Sequence, residues 1–211
     1  ILASYRQIPQ QVASLKSGAW QSGVGRTLRG RTLGLYGYGR IAGAVADYAR
    51  ALGMKVQWWG SEEGRARAAA NGQIVPPTRE AFFASSDVVS LHVRLKPETR
   101  GIITAADLAA MRPRALLVNT SRSGLVETGV LEAEIALGRI FAAVDVFDDE
   151  PLVDTTHPLL SHPNVLATPH IGFVTEDEFD LQFSDIFDQV NAYSDGKPIH
   201  MINPEVWEKR S

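Results

Sequence analysis

The stretch Thr32-Leu33-Gly34-Leu35-Tyr36-Gly37-Tyr38-Gly39-Arg40-Ile41-Ala42 decides how the rest of the chain is read. A short run without polar alternation, stopped by glycines two positions apart, predicts a strand buried on both faces that ends in a tight turn. Beyond it, Ile41, Val45, Tyr48 and Leu52 recur at spacings of three and four, which predicts a helix with those four residues on one buried stripe. A G-x-G-x-x-A turn between a strand and a helix has a physical meaning that the pattern alone lacks. Gly37 permits the tight turn, Gly39 lets backbone approach a pyrophosphate, and a small residue at Ala42 lets helix and strand pack closely. The helix N-terminal amides of Arg40 and Ile41 would then face the phosphates of a dinucleotide.

Outward from this stretch the same rhythm repeats. Apolar runs at Lys55 to Trp59, Asp87 to Val93, Ala115 to Thr120, Phe141 to Phe147 and Val165 to Thr168 predict five further strands, separated by helix-like segments. Thr104 with Asp107 and Thr175 with Glu178 have capping-box spacing, and Thr78 can act as a simple N-cap. Strand and helix alternating this often predict an α/β fold with a doubly wound parallel sheet. Residues 1–28 read as a leading helix and loop, 29–174 as the dinucleotide-binding domain, and 175–211 as a long helix and tail. In that helix Phe179, Phe183, Phe187, Val190 and Tyr193 form an aromatic stripe whose expected role is packing.

Composition narrows the function. The 211 residues include no cysteine, which excludes disulfide frameworks, thiolate metal sites and a cysteine nucleophile. A net charge of −3 gives no general attraction for nucleic acid, and Arg26, Arg29 and Arg31 read as a solvated basic face. No apolar run is long enough to cross a membrane and no leader is evident, so a cytoplasmic protein is expected. No spacing suggests a metal site, and of the other histidines His92 reads as structural, His157 and His162 as pre-proline loop residues.

Three segments fall just past predicted strand ends, the edge at which such sheets bind ligands. Each brings one ionisable side chain: Arg122 after Asn119-Thr120-Ser121, Glu150 before Pro151, and His170 in Thr168-Pro169-His170. A histidine held by a carboxylate can exchange a proton with a substrate hydroxyl, and an arginine can clamp a carboxylate. Singly, each has a structural reading as well: a surface arginine, a turn, a satisfied histidine. Asp145, inside an apolar run, needs a partner. At the end of the second predicted strand the acidic residue that would hold the ribose of NAD is missing. Gly60 and Ser61 stand there, with Glu62, Glu63, Arg65 and Arg67 beyond, so NAD and NADP both stay open with a tilt toward NADP.

With these motifs in order, the sequence resembles the D-isomer-specific 2-hydroxyacid dehydrogenases, the group of phosphoglycerate dehydrogenase and glyoxylate/hydroxypyruvate reductase. The resemblance runs over residues 1 to 205 through Thr32–Ala42, Ser90–Val93 with Pro97 and Thr99, Met111–Gly124, Ala142–Pro151 and Thr168–Gly172. It implies a Rossmann-type NAD(P)-binding domain and hydride exchange between the nicotinamide and C2 of a small 2-hydroxy or 2-oxo acid. It also implies that Arg122 holds the substrate, that His170 is the general acid/base, and that Glu150 orients His170 and favours its protonated form. Asp145 would meet the nicotinamide side, and Val93, Thr99, Thr120 and Ser121 would line the cofactor cleft. A homodimer is expected, with residues 1–28 contributing. Members carry a further domain of about 100 residues ahead of the segment that starts here, so an incomplete chain is expected, with its long helix exposed. A dinucleotide-sensing interaction module without turnover is the alternative, although a sensor has no need of Arg122, Glu150 and His170 together.

Overall fold

The computed structural model describes residues 1–207. It forms two compact units that part between His170 and Ile171.

The first unit is built on strands β1 (Thr32–Tyr36), β2 (Lys55–Trp59), β3 (Val88–Leu91), β4 (Leu116–Asn119), β5 (Phe141–Val144) and β6 (Val165–Ala167). All pair in parallel in the order β2-β1-β3-β4-β5-β6. The chain leaves β1 for β2 on one side and returns to β3 on the other, so the loops after β1 and β3 diverge and open a crevice at their C-terminal ends. Each strand is a few residues shorter than, or equal to, the apolar run that predicts it. The extra residues of the longer runs, such as Asp145 to Phe147, leave the ladder and bend into loops at that edge.

Successive strand residues enter opposite layers, which is why the runs show no polar alternation. In β4, Leu116 and Val118 pack into one apolar cluster with Leu33, Leu35 and Val88, while Leu117 packs into the other with Val89, Leu91 and Val144. Helices cover both layers. They are α1 (Leu2–Tyr5), α2 (Ile8–Lys16), α3 (Arg40–Ala51), α4 (Glu62–Ala70), α5 (Arg79–Ser85), α6 (Ala105–Ala110), α7 (Val130–Ala136) and α8 (Pro158–Ser161). The predicted caps form. Thr78 accepts from Ala81 N at 3.0 Å, and Thr104 and Asp107 exchange bonds across the first turn of α6.

Two expectations need correction. The stripe Ile41, Val45, Tyr48 and Leu52 is not buried: Ile41 and Tyr48 are 73% and 72% exposed, and Ala42, Ala46 and Ala49 face the sheet instead. The period was right and the phase was not, because α3 lies so close to the strands that methyl-sized side chains fill the contact. Arg26 is likewise no solvated residue. Its guanidinium sits 4.2 Å from the Tyr5 ring centroid and 5.1 Å from that of Phe141, and donates to the Arg114 carbonyl at 2.5 Å. It pins the leading segment to the sheet, with buried Tyr5 beside it.

The second unit contains α9 (Glu176–Ser194), capped by Thr175, whose hydroxyl accepts from Glu178 N at 3.2 Å. Phe179 and Phe183 pack on one another at 5.7 Å, and the stripe that includes Phe187, Val190 and Tyr193 remains about half exposed.

Candidate active site

The crevice between the loops after β1 and β3 is a cavity of about 630 Å³. One wall is Gly39 to Ala42, the second is His92 to Leu95, and the third is Thr120 to Arg122 from the loop after β4. Gly37 holds the turn at φ +120°, and a Cβ there would lie 2.6 Å from the His92 carbonyl oxygen, so only glycine allows the two loops to approach this closely. Gly39 has an extended backbone and nothing within 4 Å of where its Cβ would be. That open side, next to the first amides of the 12-residue α3, is the approach a pyrophosphate requires, and the residues present therefore fit a dinucleotide. His92 is kept neutral: burial pushes its imidazole down to about 4, and its Nε2 lies 2.9 Å from the Ser90 hydroxyl.

The other sequence-predicted cofactor residues lie around this cavity at different depths. Val93, Thr120 and Ser121 line it, and Ser121 donates to the Leu91 carbonyl at 2.7 Å. Thr99 is set back from it, donating to the Arg94 carbonyl at 2.6 Å and accepting from Lys96 N at 2.8 Å, so it shapes the β3 loop. Ser61 caps α4 at the end of β2. Of the nearby cations, Arg65 lies over the Trp59 ring at 4.5 Å and donates to the Gly60 carbonyl, and Arg67 reaches the Tyr38 carbonyl at 3.3 Å. Asp145 is buried at the end of β5 and accepts from Thr168 at 2.5 Å.

The ionisable residues converge on one edge. Arg122 is set by buried Asn119, whose amide donates to the Arg122 carbonyl at 2.9 Å and whose oxygen accepts from Ser121 N at 3.1 Å. Glu150 and His170 meet at 2.6 Å between Oε2 and Nδ1, and the other Glu150 oxygen accepts from Phe147 N at 2.8 Å. The His170 bond, then the Phe147 amide, and more weakly the Arg122 charge hold the Glu150 carboxyl below its usual range. An ionised carboxylate only accepts, so Nδ1 carries the hydrogen of this bond and the ring is held in one orientation. His170 holds a left-handed backbone at φ +53°, an uncommon conformation for a side-chain-bearing residue and one often found at functional sites. An apolar cavity of about 490 Å³, lined by Phe147, Leu152, Leu160 and Pro169, abuts the pair.

The family model of the D-isomer specific 2-hydroxyacid dehydrogenase NAD binding domain matches residues 1–172. The chain belongs to this family. A hydroxypyruvate reductase of Thermotoga maritima is 38% identical over 179 residues, which are 83% of this chain and 57% of that relative. A solved phosphoglycerate oxidoreductase from Vibrio cholerae is 42% identical with a TM-score of 0.87, over 92% of this chain and 63% of that one. A solved oxidoreductase from Ralstonia solanacearum is 44% identical with a TM-score of 0.90, over 97% and 64%. The chain thus spans less than two thirds of the length of these 2-hydroxyacid dehydrogenase relatives. The sheet and its glycine-rich turn are the Rossmann-type NAD-binding domain of the family. Two residues were undervalued by sequence reading. Asn119 looks like an ordinary strand-end residue until its amide is seen to fix the Arg122 turn, and Arg94 carries no motif signal at all. Among the described residues no helix is long and apolar enough to cross a membrane.

Proposed function

We propose that the chain carries the cofactor-binding and proton-transferring parts of an oxidoreductase acting on a small D-2-hydroxy acid or its 2-oxo counterpart. The observation that carries this is the Glu150–His170 pair, at 2.6 Å, at the same strand edge as a dinucleotide-sized cavity lined by Arg122. A bound nicotinamide supplies or accepts the hydride at C2. Arg122 clamps the substrate carboxylate with a planar fork, His170 gives a proton to the C2 oxygen or takes one from it, and Glu150 fixes the ring. Either NAD(H) or NADP(H) fits the glycine-rich turn. NADP(H) is favoured by the absence of a carboxylate at Gly60 and by the guanidinium groups of Arg65 and Arg67 near Ser61.

The proposal extends to a homodimer in the cytoplasm, where such reduced dinucleotides are held. Its support is the exposed apolar stripe of α3 together with Ile8, Val12 and Leu15 on α2, apolar side chains that a second copy would cover. Tyr48→Glu is expected to turn a sedimenting dimer into a monomer. The catalytic reading is tested by following NADH and NADPH binding by fluorescence, then oxidation of the better ligand with hydroxypyruvate and glyoxylate. Binding with turnover supports the enzyme; binding with no turnover on either acid points to an incomplete enzyme or to the sensing module.

A further inference from the structure

The charges that line the dinucleotide cavity are all of one sign. Arg40 enters from the first turn of α3, Arg94 from the loop after β3 and Arg122 from the loop after β4, and no carboxylate joins them. Most other arginines of this unit are committed to protein partners: Arg79 forks onto Asp107, Arg112 donates to the Ala84 carbonyl, and Arg139 pairs with Glu134. Among the described residues the guanidinium groups of Arg40 and Arg94 have no hydrogen bond or ion pair, and both side chains are exposed at the cavity rim. Like charges gathered without a counter-charge repel unless an anion sits between them.

The backbone of Arg94 is nonetheless held firmly. Its carbonyl accepts from the Thr99 hydroxyl at 2.6 Å, and that hydroxyl accepts from Lys96 N at 2.8 Å, so the loop presents residue 94 from a fixed base. Its partners in the cavity are Gly39 to Ala42, the phosphate-facing turn, whereas Ser61 at the ribose end of β2 is not part of this lining. If Arg122 is assigned to a substrate carboxylate, Arg40 and Arg94 remain on two facing walls for a group with two negative charges.

We infer that Arg94 is a cofactor-binding residue that closes over the pyrophosphate from the β3 loop, opposite the helix amides and Arg40. This rests on the dinucleotide reading of the cavity. An arginine there bonds to phosphate oxygens by charge-assisted hydrogen bonds, and its removal weakens every dinucleotide alike, because NAD and NADP share the pyrophosphate.

The test is titration of the whole chain and its Arg94→Gln, Arg94→Lys and Lys96→Ala variants with NADH and with NADPH at two salt concentrations. Wild-type binding of either dinucleotide secures the underlying reading independently of Arg94, and failure of both would remove it. The expected result is a loss of about tenfold in affinity for both dinucleotides in Arg94→Gln, a smaller loss in Arg94→Lys, and a shallower salt dependence. Lys96→Ala, a charge change in the same loop but outside the cavity lining, is expected to bind as the wild type does. Equal affinity of Arg94→Gln and wild type overturns the inference. So does a loss confined to NADPH, which would put Arg94 on the 2′-phosphate, and so does an equal loss in Lys96→Ala, which would reduce the effect to general charge. Unchanged thermal melting of the variants shows that binding, not folding, is being read.

Discussion

The two ends of the sheet's C-terminal edge are made of different materials. On the β1 side the ligand-facing groups are mostly backbone: a glycine turn and the first amides of α3, with methyl-sized side chains beneath and the Arg40 side chain at the rim. On the β5–β6 side they are side chains, with Glu150 and His170 on long loops, joined at 2.6 Å and braced by Phe147 N. A backbone wall can only shape and solvate an anion, so it suits binding that is the same for every substrate. A wall of titratable side chains can exchange protons, and it inherits a dependence on pH that the other lacks. On the proposed function, binding and proton transfer should be separable by single substitutions.

The largest expected effect sharpens that separation. His170→Ala should lower turnover by about 10²–10⁴-fold in steady-state assays, while leaving the fluorescence-measured affinity for NADH or NADPH within about twofold. A comparable fall in cofactor affinity would break the division between the two walls. The converse is Gly37→Ala, where a Cβ at 2.6 Å from the His92 carbonyl meets unyielding backbone at a φ of +120°. Loss of about 2–4 kcal/mol of stability is expected in chemical denaturation, with weakened dinucleotide binding in whatever remains folded. Melting unchanged from wild type would mean that the turn is not built as described.

A smaller effect belongs to Glu150→Gln, which keeps the shape and removes the charge. About tenfold lower turnover is expected. Because the folded carboxyl titrates below its usual range, the wild-type pair keeps its carboxylate through neutral and mildly acid pH and loses it only as the pH falls through that lowered value. A pH–rate profile should therefore lose its lowest acid limb in the variant. A separate effect, on stability and not on turnover, belongs to His92→Asn. The folded His92 titrates near 4 against an ordinary 6.5, so below 6.5 the unfolded chain takes up a proton that the folded chain refuses, and stability falls as the pH drops from 6.5 toward 4. The variant should lose on the order of 2 kcal/mol less than wild type across that window, measured by denaturant melts at both ends.

The same contrast explains what the sequence revealed. The strands, the glycine-rich turn and the caps at Thr78 and Thr104 depend on neighbours a few residues apart, and so they could be read locally. The convergence of Arg122, Glu150 and His170 on one edge was also legible, because each lies just beyond an apolar run. The inward face of α3 was not, since periodicity fixes how often a helix faces the sheet and close packing fixes which residues do so. Arg26 escaped for a similar reason: its aromatic partners Tyr5 and Phe141 come from separate ends of the first unit. Asn119 and Arg94 act through loops that only the folded sheet brings side by side.

The missing carbon at Gly37 has a further consequence for anyone wishing to reshape the crevice. The turn after β1 and the carbonyl of His92 touch at the limit of contact, so the mouth between β1 and β3 has a fixed gauge. It cannot be widened by editing the glycine-rich turn alone; the loop that starts at His92 must be redrawn with it. Remodelling for a bulkier or differently charged cofactor should thus begin in the 92–99 loop, on the other side of that contact.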